Sequence, residues 1–93
     1  MGLGTEEDLA IETEKWLRKA LVEVETVSPR GDEGERFLSN IRAYLSDSRH
    51  FSEKGDPIRA FEAVIWAWAW IEIGLEVGIL AVVGDVGVED LSI

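Results

Sequence analysis

The sequence predicts an all-α fold, an antiparallel three-helix bundle with a long apolar third helix. Three observations point to it. Two early stretches place apolar residues at steps of three and four, the signature of one helical face. A Lys54-Gly55-Asp56-Pro57 segment then joins two helical stretches by a very short turn. The run that follows Pro57 is too long and too rich in alanine for a strand. The chain has 93 residues, of which 46% are apolar, room for one domain over residues 1–93 with a real core.

The first helix is predicted over residues 5–27. Thr5 is followed by Glu6, Glu7 and Asp8, so a hydroxyl cap meets three acids where the helix dipole favours negative charge. Leu9, Trp16, Ala20 and Val27, joined by Leu17 and Val24, mark its apolar face. Pro29 disfavours a helical residue before it, and Ser28-Pro29-Arg30-Gly31-Asp32 is predicted as a loop. The second helix is predicted over 33–54, with Phe37, Ile41, Tyr44, Ser48 and Phe51 on one stripe and Leu38 and Leu45 widening it. Gly55 stops it by accepting the left-handed conformation. Asp56 caps the third helix, and Pro57 takes its first position, where a missing N–H is not needed.

The third helix is predicted over 57–83, with residues 84–93 as a flexible or loosely docked tail. Trp66, Trp68 and Trp70 alternate with alanine, a strand-like rhythm, but the Asp-Pro start and the length of the run favour helix. At 100° per residue, Phe61, Val64, Trp68, Ile71, Leu75, Gly78 and Val82 form one stripe, the expected core face. Trp66, Trp70, Ile73, Val77 and Leu80 form a second stripe roughly opposite, with the rhythm of a helix–helix seam. Glu62, Glu72 and Glu76 lie between the two. A three-helix bundle needs one broad apolar face per helix, so the second stripe is surplus. A homodimer partner, another protein, the tail through Val86, Val88, Leu91 and Ile93, or lipid are the four possible coverings. Gly74 and Gly78 make a G-x-x-x-G, read here as close backbone packing rather than a membrane dimer motif.

Charge narrows the classes of function. The chain holds 9 basic and 19 acidic side chains, a net of −10. No lysine or arginine follows Arg59. Such a surface repels phosphate backbones and anionic headgroups, so neither nucleic acid nor a membrane surface is an expected partner. A membrane-spanning third helix would bury Glu72 and Glu76 near its middle, at about 2.5–3.5 kcal/mol each on the mildest scale. There is no cysteine and only one histidine, His50, which removes disulfides, thiol nucleophiles and multi-histidine metal cages. The absence of cysteine and of an apolar stretch in the first fifteen residues makes the cytoplasm the expected location.

Chemistry is correspondingly sparse, and no catalytic residue, cofactor or metal is assigned. Glu72 and Glu76 are four apart and share a helix face, the one weak candidate for a ligand or divalent cation. The Glu-x-x-His partners that carboxylate bundles use are missing. Tyr44, Asp47 and His50 lie on adjacent turns and would be a second acid–base grouping. A solvated ridge and a core tyrosine with exposed neighbours explain both sets more simply.

One resemblance emerges from the residues themselves. Tyr44, Asp47, Phe51, Gly55, Asp56 and Ala60, followed by the run Trp66 to Gly74 and by Gly78, resemble an archaeal family known as domain of unknown function 357. In that pattern Trp66 stands for a tyrosine, Ala69 for a small residue, Trp70 for an aromatic and Glu72 for an aspartate. The resemblance covers about the second half of the chain. It implies a short archaeal three-helix bundle with no assigned activity, and it carries over no catalytic residue. The glutamate at position 72 weakens any claim of exacting chemistry there. The leading functional expectation is thus an interaction or self-association module using Trp66, Trp70, Ile73, Val77 and Leu80. The alternatives are a small metal- or ligand-dependent enzyme and a protein attached to a membrane through its third helix.

Overall fold

Steps of four, three and four bring Thr13, Leu17, Ala20 and Val24 to one buried face of α1 (Thr5–Glu25) in the computed structural model, which describes residues 5–83. The Thr13 hydroxyl donates to the Leu9 carbonyl at 2.7 Å, so this buried polar group is satisfied within its own helix. A short strand, β1 (Val27–Pro29), leads into α2 (Gly31–Glu53), which buries Gly34, Ile41, Leu45 and Ser48. Gly55, at φ +80°, turns the chain. Asp56 then caps α3 (Pro57–Val77), its carboxylate accepting from the Arg59 N–H at 3.2 Å. The turn is as the sequence predicts, because each of its signals is local.

Cross-helix contacts set the packing. Phe37 meets Trp70, Tyr44 meets Trp66, and Phe51 lies under the Arg59 guanidinium. The Ser48 hydroxyl donates to the Ala60 carbonyl at 2.8 Å. Rising numbers on α2 meet falling numbers on α3, so the two run antiparallel. The Leu21–Val24 end of α1 lies beside Arg42 and Leu45, and Glu14 and Leu17 lie beside Ser52 and Glu53. α1 is therefore antiparallel to α2 as well. The molecule is an all-α three-helix bundle around Leu17, Val24, Ile41, Leu45, Val64, Ala67, Ile71 and Leu80.

Three helix boundaries depart from the prediction, and the ends of α1 and α3 come from one feature. α3 was expected to run to Val83; it ends at Val77. Gly78 takes φ +86°, and the N–H groups of Gly78 and Ile79 both donate to the Gly74 carbonyl at 3.1 Å. That left-handed stop turns the chain back into β2 (Leu80–Val82). β2 pairs antiparallel with β1, Val27 opposite Val82 and Pro29 opposite Leu80. The ribbon is flanked by Val83 N–H to Thr26 carbonyl and Arg30 N–H to Ile79 carbonyl bonds, each 2.8 Å. It consequently shortens α1 to Glu25 and replaces the start of the loop expected over 28–32. The second helix also begins earlier than residue 33. The predicted tail, 84–93, lies outside the described residues.

Gly34 is where the ribbon meets α2. A Cβ there would overlap the Ile79 carbonyl oxygen and sit 3.1–3.2 Å from Pro29 backbone atoms. Gly74 plays the matching part on α3: its missing side chain leaves the space that Leu80 fills. The G-x-x-x-G thus divides, with Gly74 a site of close packing and Gly78 a helix stop.

Candidate interaction surface

The geometry of α3 follows from its small residues. Ala60, Ala63, Val64, Ala67, Ile71 and Gly74 are the buried positions. This centre lies roughly 70° around the helix from the expected core stripe. Of that stripe, Val64 and Ile71 are buried, while Phe61, Trp68 and Leu75 are half-buried on the flank towards α1. Gly78 and Val82 are not on the helix at all. The reason is steric. Alanine and glycine let α3 settle deep between its neighbours, and the bulky side chains take the sides.

The Trp-Ala alternation then becomes intelligible. Ala67 is fully buried, and Trp66 and Trp68 stand one 100° step to either side of it. Trp68 turns towards α1, edge-on to Trp16 with ring centroids 6.0 Å apart, and its indole N–H donates to the Trp16 carbonyl at 3.2 Å. Trp66 turns towards α2 and stacks on Tyr44 at 6.3 Å and 18°. Trp70 packs edge-on against Phe37 at 4.6 Å, and its buried Nε1 has no hydrogen-bond partner among the described residues.

The five residues expected to form the second stripe have three different fates. Trp66, Ile73 and Val77 are 55%, 46% and 63% exposed along one side of α3. Trp70 is half-buried beside them. Leu80 is only 2% exposed and belongs to the core, because the Gly78 stop removes it from the helix before its side chain reaches that face. Ile58 and Ile65 extend the exposed surface further round the helix. Glu62, Glu72 and Glu76 are all exposed among these apolar residues.

The weaker candidates do not assemble into a reaction centre. Glu72 and Glu76 remain on the solvent side of α3, and among the described residues no three histidine, aspartate or glutamate side chains gather where a metal ion would sit. Tyr44 and Asp47 share a shallow hollow with Phe51, Arg59, Glu62 and Trp66, and His50 is not among its walls. His50 is exposed and lies beside the Phe51 ring instead. No helix among the described residues is long and apolar enough to cross a membrane.

A second surface was not visible in the sequence. Between α1 and α2, on the side away from α3, two adjoining hollows of about 190 and 390 Å³ share Leu21 and Arg49. Leu17, Val24 and Leu45 form the floor, and Arg18, Arg42 and Arg49 stand along the sides, with Glu14 and Glu53 at one end. Arg42 and Arg49 have no ion-pair partner among the described residues, whereas Arg18 lies 3.7 Å from Glu14. The seven-residue spacing of Arg42 and Arg49 was the available signal. Its meaning depends on which helix lies beside it.

Comparison with known proteins adds a family and no reaction. A family model described as "Protein of unknown function (DUF357)" matches residues 13–80. The crystal structure of protein AF1782 from Archaeoglobus fulgidus, assigned to the same family model, is similar with a TM-score of 0.76 and 57% identity. That likeness covers 85% of this chain and 99% of the other. No curated protein matches the chain.

Proposed function

The chain belongs to the domain of unknown function 357 family, and from that premise we propose that it is a cytoplasmic self-association module whose contact surface is the outer side of α3. The observation that supports this reading is the row of Trp66, Ile73 and Val77, large apolar side chains exposed side by side on one helix. With Ile58 and Ile65 further round the helix, about half of Trp66 and of each of the four aliphatic side chains is exposed, on the order of 400 Å² of apolar surface. That lies within the roughly 300–600 Å² of the largest apolar patch on a typical monomer, a patch that is often functional. It is also about half of the ~800 Å² that each partner contributes to a standard interface. Trp70, Tyr44 and the stems of the glutamates supply further area at its edge.

The energetic scale suits reversible association. Burying about 400 Å² on each of two surfaces gains roughly 20 kcal/mol at 25 cal/mol per Å². Lost translational and rotational freedom removes some 4–15 kcal/mol of it. What remains, roughly 5–16 kcal/mol before side-chain ordering and polar desolvation are subtracted, corresponds to dissociation constants from about 200 μM downward. The occupant we commit to is a second copy of this chain.

Sedimentation equilibrium from 1 to 300 μM tests the reading. The parent protein is expected to gain mass with concentration, and Ile73→Gln/Val77→Gln to stay monomeric at the same helix content. A parent that remains monomeric at 300 μM refutes the proposal. So does a variant that associates as the parent does.

A further inference from the structure

We propose that the α3 ridge of one copy docks into the arginine-lined groove between α1 and α2 of the next, so that copies associate head to tail. This rests on the self-association reading above and names the surface that the ridge meets.

Three features support the pairing. The first is charge. The ridge carries Glu62, Glu72 and Glu76, and no cation lies on α3 beyond Arg59. Two ridges packed face to face would bring like charges together, which opposes a symmetric contact. The groove carries Arg18, Arg42 and Arg49, and Arg42 and Arg49 have no ion-pair partner among the described residues. The second is shape. The ridge is a convex helix face, and the groove is a trough between two antiparallel helices with Leu17, Leu21, Val24 and Leu45 at its base. A helix laid there completes a four-helix arrangement. The third is spacing. Arg42 and Arg49 are two turns apart, about 10 Å along the axis, and Glu62 and Glu72 about 15 Å. The long arginine stems span the difference. Glu14 and Glu53 at one end of the groove oppose an acidic ridge, which places the contact towards Arg42.

Ridge and groove share no residue, so every bound copy still offers one of each. Such a head-to-tail contact builds rings or open chains of more than two copies. The sedimentation mass should therefore pass beyond that of a dimer as concentration rises. Raising NaCl from 50 to 500 mM should weaken association roughly tenfold, since the charges flank an apolar seam at the surface.

Mixing two disabled copies is the decisive experiment. The ridge variant is Ile73→Gln/Val77→Gln, and the groove variant is Arg42→Glu/Arg49→Glu. All four side chains are exposed, and circular dichroism checks folding. Arg42→Gln/Arg49→Gln replaces the groove variant if the charge reversal unfolds it. Each variant alone is expected to be monomeric, and a 1:1 mixture to form a heterodimer that grows no further. A groove variant that associates as strongly as the parent overturns the head-to-tail contact and leaves a ridge-to-ridge dimer in place. A mixture that stays monomeric also overturns it. A parent that never associates overturns the self-association reading itself.

Discussion

Gly34→Ala adds a single methyl group, and the structure says where it goes. The new Cβ would overlap the Ile79 carbonyl oxygen and press on Cα and C of Pro29. All three are backbone atoms, so none can rotate out of the way. The ribbon must lift from α2 by roughly an ångström to restore van der Waals contact. Forcing an extra carbon into a packed site costs about 1–3 kcal/mol. Stretching the 2.8 Å bond from the Arg30 N–H to the Ile79 carbonyl costs about 1 kcal/mol more. Alanine's better helix propensity returns at most about 1 kcal/mol. The expected net loss is about 2 kcal/mol. At roughly 4–8 °C per kcal/mol for a domain of this size, the midpoint of thermal unfolding should fall by some 8–16 °C. The assay is a helical circular dichroism melt alongside urea titration. Ser39→Ala, an exposed site on the same helix, serves as the control and should shift stability by no more than about 0.5 kcal/mol. A Gly34→Ala protein that melts with the parent or above it would show that the ribbon does not rest on α2.

Four further substitutions separate the observed packing from its alternatives. Leu80→Ala should destabilise by about 2–5 kcal/mol in chemical denaturation, whereas Val77→Ala should change little; equal effects would contradict the turn at Gly78. Trp70→Phe removes a buried N–H without a partner and keeps the ring against Phe37, so stability should hold or rise by up to about 1 kcal/mol; a loss above 2 kcal/mol would mean that the N–H is bonded. Ser48→Ala removes the hydroxyl that bonds the Ala60 carbonyl between α2 and α3, for an expected loss of about 1 kcal/mol in urea titration. A Ser48→Ala protein as stable as its parent would leave that bond without energetic weight.

The sequence by itself determined the elements whose signals are local. The Gly55-Asp56-Pro57 turn, the faces of α1 and α2 and the helical state of the tryptophan run each follow from residues within a few positions of one another. It also showed that α3 holds more apolar surface than one core can take, which located Trp66, Ile73 and Val77. Only the tertiary structure decided how α3 is rotated. Large side chains dominate a periodicity count, yet Ala60, Ala63, Ala67 and Gly74 set how closely the helices approach, and the large ones follow. The ribbon was hidden for a related reason. Val27–Pro29 and Leu80–Val82 are three residues each and acquire meaning only by pairing across more than fifty residues. That pairing moved Leu80 from the expected surface into the core. The groove of Arg18, Arg42 and Arg49 belongs to the same class, since two helices must lie side by side before three separate cations become one surface.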